Sequence, residues 1–244
     1  VSLTGVGTTT IRVNQAGDDN HLEAAEVTQT LTVTRTPVSV TLGGLSQSYD
    51  GSAKSVTVTT VPAGVMTEVK YNGSTNAPVN AGSYPVVATV TDPNYSGSAN
   101  GTLVIGKGTP TMITAPTASP IIYGQTLANA VLSSGTASTG GTFVFTTPFT
   151  TPQAGIADQE VTFTPSDTAN YGPITTTVSV LVNPKSILLT GITGKDKVYD
   201  GNRSAEINGV ADLVGKIGSD DVALTGALNC QFDDPSAGTD KPIT

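Results

Sequence analysis

The chain has 244 residues, of which 12% are charged and 5% aromatic, with a net charge of −8 and no Trp. This acidic balance excludes the basic patch that nucleic acid or an anionic membrane surface would need. One cysteine, Cys230, excludes an internal disulfide, and no apolar run reaches the 18 residues expected of a membrane-spanning helix.

Residues 1–35 predict two strands, Thr8–Val13 and Val27–Thr34, joined by a polar loop at Gly17-Asp18-Asp19-Asn20. Two strands cannot bury an apolar face by themselves. We therefore expect this piece to be the C-terminal hairpin of a truncated β-sandwich module, either frayed or packed on its neighbour. Val1-Ser2-Leu3 lacks an initiator Met and a signal peptide, which suggests an excerpt from a longer protein.

Residues 36–107 predict one complete β-sandwich module. Alternating apolar and polar residues bounded by Gly, Pro, Asn and Asp are typical of short half-buried strands. Six such strands favour an immunoglobulin-like sandwich, with a β-grasp-like module, in which a helix crosses a sheet, as the alternative fold. The predicted strands are Val38–Leu42, Gln47–Tyr49, Ser55–Thr60, Thr67–Tyr71, Tyr84–Thr91 and Gly101–Ile105.

Residues 108–184 repeat this plan with a different core. They hold four of the five phenylalanines, so Phe is expected to replace Tyr and Val in the core of this module. The four phenylalanines are Phe143, Phe145, Phe149 and Phe163.

Residues 185–244 predict the N-terminal part of a further, truncated module.

A spaced pattern recurs three times and defines the modules. An Asn-aromatic pair, a strand and a turn residue lead each time to a Tyr 29 positions after the Asn, and successive Asn residues are 74 and 76 positions apart. A repeat of this length indicates an elongated array of similar modules. Because the spacing is constant across the module boundaries, we expect fixed joints and a stiff rod. The three stretches are Asn20-His21 to Tyr49, Asn94-Tyr95 to Tyr123, and Asn170-Tyr171 to Tyr199.

Several turn motifs occur in order along residues 36–107: Tyr49-Asp50-Gly51, Lys54, Tyr71-Asn72-Gly73, Ala81-Gly82-Ser83-Tyr84 and Asp92-Pro93-Asn94-Tyr95. Together they resemble the MBG domain of bacterial surface proteins. Ala81-Gly82-Ser83-Tyr84 also resembles the tyrosine corner of immunoglobulin-like folds. Residues 108–184, with Tyr123-Gly124-Gln125, resemble YGx-type relatives of the MBG domain.

A further set of motifs lies in residues 185–244: Lys197-Val198-Tyr199-Asp200-Gly201-Asn202, Gly218-Ser219-Asp220-Asp221-Val222 and Phe232-Asp233-Asp234. The first resembles the signature of the YDG domain of long secreted adhesins of the filamentous-haemagglutinin kind, and the other two support this likeness. Together the resemblances imply a non-enzymatic stalk or adhesive segment at the bacterial cell surface. They also imply a host or environmental glycoprotein or polysaccharide, or neighbouring modules of the same chain, as partners.

No residue pattern indicates a catalytic, cofactor or metal site. His21, the one histidine, stands where the other repeats have Tyr, and Cys230 is expected to be a small buried apolar residue. The acidic turns are expected to be solvated, with calcium as the rival interpretation. A Lys–Asn cross-link through Lys54 or Lys70 has no evident partner. The acidic turns lie at Asp18-Asp19, Asp92, Asp167, Asp220-Asp221 and Asp233-Asp234.

Two other functions remain open on the sequence alone. The chain could be the carbohydrate-binding region of a secreted glycan-active protein, although it lacks Trp and its Tyr residues fall in turns. It could also be an intracellular β-repeat scaffold. The Tyr-Asp-Gly turns have a structural explanation, because Asp-Gly accepts positive φ and the preceding Tyr is expected to bury its ring beside a module joint.

Overall fold

The computed structural model describes residues 5–225 and 230–243. Strand makes up 51% of the chain and helix 1%, which confirms the all-β class predicted from the alternating pattern. The one helical segment in the described ranges is a 3-10 turn, η1, at Leu127–Asn129, far too short to cross a membrane.

The chain folds into two units, and each draws on more than one stretch of sequence. The first contains residues 1–112, 137–142 and 163–174, and the second contains residues 113–136, 143–162 and 175–244. The first unit thus includes a loop of the next predicted module, at residues 163–174. That loop carries the third Asn-aromatic pair of the repeat.

The strands of residues 5–106 are two to ten residues long. Those after residue 38 mostly alternate exposed side chains with partly or fully buried ones, as half-buried strands should. They are β1 (Gly7–Gln15), β2 (Ala24–Val33), β3 (Thr36–Pro37), β4 (Ser39–Gly43), β5 (Ser46–Ser48), β6 (Thr57–Val61), β7 (Thr67–Tyr71), β8 (Gly82–Val90), β9 (Tyr95–Ser96) and β10 (Ser98–Gly106).

Residues 36–107 form two opposed layers of sheet. One is a four-stranded sheet in the order β5-β10-β8-β7, and the other is the antiparallel pair β4-β6, with β3 pairing in parallel with β9. These residues contain no helix, so the β-grasp alternative, which needs a helix crossing the sheet, is wrong for them. The strand predicted at Gln47–Tyr49 begins and ends one residue earlier, because Tyr49 belongs to the following turn.

The core of residues 36–107 lies between these layers. Val86, Leu103 and Ile105 point inward from β8 and β10 and are at most 2% exposed. Tyr71 is buried among them, and its hydroxyl accepts a 3.0 Å hydrogen bond from the backbone N–H of Val56. The ring therefore fills the core while its polar end closes a loop.

The tyrosine-corner resemblance is supported by a direct contact. The Tyr84 hydroxyl donates a 2.9 Å hydrogen bond to the backbone carbonyl of Asn80, four residues upstream. Gly82 lies under the Tyr84 ring with φ of +157°, where an added Cβ would come within 3.3 Å of the hydroxyl oxygen. This contact fixes the approach of the chain to β8.

Among the described residues, the hairpin β1-β2 forms a two-stranded sheet of its own. Its register runs from Gly7 opposite Val33 to Gln15 opposite Ala24, and Val13 and Val27 are 63% and 65% exposed. The expectation that these two strands cannot bury an apolar face is therefore met.

The remaining strands belong to residues 112–214. They are β11 (Met112–Thr114), β12 (Thr117–Ala118), β13 (Ile121–Ile122), β14 (Leu132–Ser133), β15 (Thr136–Ala137), β16 (Gly141–Phe145), β17 (Gly155–Pro165), β18 (Ile174–Asn183), β19 (Leu188–Gly194) and β20 (Ile207–Val214).

A second four-stranded sheet has the order β13-β18-β17-β16, the same plan as β5-β10-β8-β7. In both sheets the short first strand is parallel to its neighbour. The core of the second unit is built on Val161, Val180 and Val182 and closed by Leu127 of η1, all at most 1% exposed.

The phenylalanine prediction holds for three of the four residues. Phe145 and Phe163 are 6% and 1% exposed, and Phe143 packs partly buried against the core of the second unit. For Phe149 the prediction is wrong, since this ring is 84% exposed. Phe149 follows β16, so the alternation that directs Phe143 and Phe145 inward no longer governs it.

Candidate functional site

The three Asn-aromatic pairs lie in turns closed by an aspartate, here named the Asn turns. In each, an aspartate Oδ1 accepts a hydrogen bond from the backbone N–H of the Asn. The Asn lies two residues after Asp18 and Asp92, as in an Asx turn, and three residues after Asp167. The pairs and distances are Asp18 with Asn20 at 2.9 Å, Asp92 with Asn94 at 2.9 Å, and Asp167 with Asn170 at 3.1 Å.

The third Asn turn is bound to the preceding module by its side chain. Asn170 is 9% exposed, and its Oδ1 accepts a 2.9 Å hydrogen bond from the backbone N–H of Ala81. Its Nδ2 donates to Asp167 Oδ2 at 2.9 Å and lies 3.5 Å from Asn80 Oδ1. A buried amide with its donor and acceptor both engaged specifies one arrangement of the two segments.

Two tyrosine rings meet at the same place. The rings of Tyr49 and Tyr171 pack edge to face, with centroids 5.1 Å apart and planes at 89°. Gly108 lies beside them, where an added Cβ would be 2.7 Å from the Tyr49 carbonyl oxygen and 3.2 Å from the Tyr171 ring. Only glycine leaves room for this approach. We call the contact between Tyr49 and the third Asn turn the joint.

The connecting residues 106–108 are hydrogen-bonded on both sides of the joint. Tyr49 N–H donates to the Gly106 carbonyl at 2.9 Å, while Gly108 N–H donates to the Asn170 carbonyl at 2.8 Å. Gly172 N–H returns a 2.9 Å bond to Gly108, and Lys107 Nζ donates to the Thr168 carbonyl at 2.6 Å. The connection therefore differs from a flexible linker, whose backbone would be solvated.

The second unit contains a related contact at the next Tyr of the repeat. The Tyr123 hydroxyl donates a 2.8 Å hydrogen bond to Asp220 Oδ1, and this bond raises the pKa of the phenol. Gly124, at φ +91°, lies close to Ile217, with only 2.9 Å between an added Cβ and the isoleucine Cδ1. Tyr123 N–H also donates to the Asn183 carbonyl at 2.9 Å, as Tyr49 N–H does to Gly106.

Tyr199 of the third copy and His21 of the first copy depart from this arrangement. Tyr199 occupies the same position as Tyr49 and Tyr123 but is 67% exposed, so the expectation that its ring is buried is wrong. His21, in the first copy, has a side chain that is 75% exposed and places Nδ1 2.8 Å from Asp18 Oδ1, which lowers the pKa of that carboxyl.

Lysine ammonium groups lie against three aspartate turns, of which only the one at Asp234 is among the acidic turns named from the sequence. Lys54 Nζ is 2.5 Å from Asp50 Oδ2, and this hydrogen bond lowers the pKa of the carboxyl. Lys241 Nζ is 2.5 Å from Asp234 Oδ1 and 3.0 Å from the Asp234 carbonyl. This contact, with the Ser236 N–H, lowers the pKa of Asp234 to about 2.

Lys197 is enclosed by oxygen atoms in the same way. Its Nζ is 2.8 Å from Asp200 Oδ1, donates to Asn202 Oδ1, and reaches the Ser204 carbonyl at 3.0 Å. The ammonium lowers the pKa of Asp200. Of the turns for which calcium was the rival interpretation, the one at Asp233-Asp234 thus has a lysine ammonium beside it.

The other candidates from the sequence are not brought together into a site. Cys230 is half-buried, where a fully buried side chain was expected. Lys70 pairs with Glu68 at 3.1 Å, and Lys54 with Asp50, so neither contacts an Asn side chain. Across residues 5–225 and 230–243, no group of three or more His, Cys, Asp or Glu residues is placed to hold a metal ion.

One cavity of about 570 Å³ lies between residues 194–202 and residues 232–243. Its charged lining consists mainly of the lysine-bound turns just described, including Lys197 with Asp200 and Lys241 with Asp234. These groups satisfy one another.

Sequence reasoning identified the Tyr turns but missed the residues that they contact. Asn20, Asn94 and Asn170 share one slot in the repeat, yet only the Asn170 side chain is buried. The constant spacing of this Asn was a signal for a structural role. The long-range contact with Ala81 was not readable from it.

Comparison with known protein families gives a match for two parts of the chain. Residues 38–109 match the MBG domain family, and residues 183–244 match the YDG domain family. No curated protein sequence is similar enough to the chain to count as a match. Both domain types occur in adhesin-like surface proteins. The chain therefore contains an MBG domain at residues 38–109 followed by a YDG domain at residues 183–244.

Proposed function

We propose that the chain is a non-enzymatic segment of a secreted or surface-anchored bacterial adhesin. Its modules act as a stalk or as an adhesive array that holds binding surfaces away from the cell. The proposed location is extracellular, because MBG and YDG domains are typical of extracellular surface proteins. The proposed partners are glycoproteins, polysaccharides or neighbouring modules.

The joint is the observation that carries this proposal. A stalk can hold a binding surface at a fixed distance only if successive modules do not rotate freely about their connections. Rotation at the joint would break several contacts at once. Rotation about residues 106–108 would separate the Tyr49 and Tyr171 rings and would remove the Asn170 bond to Ala81. Because a buried amide without partners costs about 1–3 kcal/mol, the joint resists such rotation.

The sheets themselves suit this role. Every described strand in residues 36–107 is paired, and the exposed faces are rich in Thr, which is soluble and favours strand conformation. The joint uses a few polar and aromatic contacts on the ends of modules and leaves their broad faces uncovered. Those faces are the surfaces proposed to meet a partner.

Labelling of intact cells tests the location. An antibody raised against the chain is expected to label unpermeabilised cells of the source bacterium, and brief protease treatment of those cells is expected to remove the label. A cytoplasmic protein serves as the control that stays protected. Labelling only after lysis would contradict the proposal and would favour the intracellular scaffold.

A glycan array addresses the partner. Binding to one class of glycan would support an adhesive role for the modules. Binding lost on a single exposed aromatic substitution would instead favour the carbohydrate-binding alternative. Phe149 is a suitable first substitution, since its ring is 84% exposed.

A further inference from the structure

Strands β3 and β5 run beside β9 and β10 in the same direction, so the chain enters and leaves this module on neighbouring parallel segments. Thr36 of β3 pairs with Tyr95 at the start of β9. Ser48, the last residue of β5, pairs with Gly106, the last residue of β10. Tension applied to the chain on both sides of residues 36–106 therefore pulls the two segments past each other along their length.

The hydrogen bonds between β5 and β10 would carry this load together. Val104 N–H donates to the Leu45 carbonyl at 2.8 Å, and Tyr49 N–H donates to the Gly106 carbonyl at 2.9 Å. The bonds of a parallel pair are evenly spaced along the strands, so sliding one strand past the other strains all of them at once. A hairpin pulled apart from its open end loses its bonds one at a time, and each loss needs less force.

The Gln47 side chain fastens β5 to the rest of the module. Its Nε2 donates to the Gly44 carbonyl at 2.8 Å and to the Ser55 carbonyl at 2.9 Å. On the inner face of β10, Leu103 and Ile105 are 0% and 2% exposed, which keeps water away from that side of the strand pair. For β5 to slide along β10, the chain must break both Gln47 bonds as well as the bonds between the strands.

The second four-stranded sheet has the same arrangement. β13 pairs in parallel with β18, with Ile122 opposite Asn183. The N–H of Tyr123, the next residue, donates to the Asn183 carbonyl at 2.9 Å, as Tyr49 N–H does to Gly106. The two modules pack different core residues, yet both keep a parallel strand pair that ends at the repeated Tyr.

We propose that these two parallel pairs, β5–β10 and β13–β18, are mechanical clamps that keep the modules folded when the chain is stretched from its ends. A stalk or adhesive array is stretched whenever a bound partner is pulled away, and the clamps would bear that load. The proposal rests on the proposed surface role for its purpose. The clamps themselves are a property of the folded chain and are measured without cells or a partner.

Single-molecule force spectroscopy of the full chain tests the clamp by changing only the points of attachment. One chain carrying Ser83→Cys, Gly106→Cys and Cys230→Ser is held either by tags at its two ends or by the two introduced thiols. Residues 83 and 106 lie at the same end of the β8–β10 pair, because Val104 is opposite Ser83. Position 106 accepts a side chain, since an added Cβ would be 3.7 Å from the Gln47 carbonyl oxygen.

The two arrangements should give different unfolding forces. Held at the chain ends, residues 36–106 should unfold in one step that releases up to about 250 Å of chain, at about 3.5 Å per residue. Held through residues 83 and 106, β8 and β10 should separate pair by pair at a force several times lower. The stability of the chain is the same in both arrangements, so a difference in force reports the direction of loading.

A second measurement compares two substitutions in the chain held at its ends. Gln47→Met removes both Nε2 hydrogen bonds and is expected to raise the unfolding rate at constant force about two- to tenfold, the range of a single net hydrogen bond. Tyr71→Phe is the matched control, since it removes the acceptor of the Val56 N–H from the same core but lies on β7, which does not pair with β5. It should lower stability towards urea and leave the rate under force nearly unchanged, because contacts that break after the barrier do not alter the rate.

The proposal is overturned if the chain unfolds from its ends at a force no higher than through residues 83 and 106. It is also overturned if Gln47→Met and Tyr71→Phe accelerate forced unfolding equally. Either result would leave the cell-surface role untouched, since intact-cell labelling tests that role separately. Failure of the labelling would in turn leave the measured clamp in place and remove only its proposed purpose.

Discussion

Replacing Asn170 by Ala should loosen the joint while leaving both sheets intact. The substitution removes the 2.9 Å acceptor of the Ala81 N–H and the 2.9 Å donor to Asp167. An unmet hydrogen-bonding group at a partly buried site costs about 1–3 kcal/mol. Since about 1.36 kcal/mol is a factor of ten, hydrogen exchange of the Ala81 amide should accelerate by about 5- to 150-fold.

The matched control is Asn94→Ala, which removes the same residue from the same slot of the preceding repeat. Asn94 is exposed, so this change should stay within about 0.5 kcal/mol and leave the Ala81 amide unaffected. Amides in the β8 and β10 cores report whether the modules remain folded. Unchanged exchange at Ala81 in Asn170→Ala, or an equal acceleration in Asn94→Ala, would refute the assigned role of Asn170.

Three further predictions concern single contacts. A double-mutant cycle of Tyr49→Ala and Tyr171→Ala should give a coupling of about 0.5–1.5 kcal/mol in thermal unfolding, and additive effects would show that the ring contact contributes nothing. Tyr84→Phe should destabilise by about 0.5–1.5 kcal/mol through loss of the tyrosine-corner bond, measured by urea denaturation; no change would contradict that bond. The pKa of Asp234, about 2, lies below its unfolded value, so its stabilising contribution is present above about pH 4 and is lost as the pH falls towards 2. Lys241→Met should therefore raise the pKa of Asp234 in an NMR titration, and an unchanged titration would contradict the ion pair.

Much of the fold could be predicted from the sequence, because the alternation of apolar and polar residues along a strand has a direct physical cause. A strand half-buried against a core must alternate, and Val86, Ala88 and Val90 of β8 do so with 7% exposure or less. The same rule placed Phe143 and Phe145 on the inner side. It failed at Phe149, because residues after a strand no longer alternate.

The constant spacing of the repeat predicted a fixed joint at the module boundary, but it did not show which residues are in contact there. The 29-residue spacing connects Asn94 to Tyr123, whereas the observed joint connects Tyr49 to Asn170 and Tyr171. These partners come from the first and third copies. A contact between distant copies leaves no trace in local spacing, since either residue could satisfy the repeat without touching the other.

The pairing of lysine with aspartate in the turns was equally hard to predict from the sequence. Lys54 follows Asp50 by four residues, while Lys197 precedes Asp200 by three, and both place an ammonium on the turn. The same contact between a lysine ammonium and a turn aspartate is thus made with two different sequence spacings. A search for metal-ligand patterns therefore did not predict these lysine contacts.

Residual dipolar couplings of the full chain test the fixed joint most directly. If the joint is rigid, amides in residues 82–106 and residues 163–174, which belong to the first unit, will fit one alignment tensor of the same magnitude and orientation. In Asn170→Ala these two sets of amides should require two different tensors. Two tensors of unequal magnitude in the unsubstituted chain would show that the third Asn turn moves independently of residues 82–106, and would contradict the fixed joint.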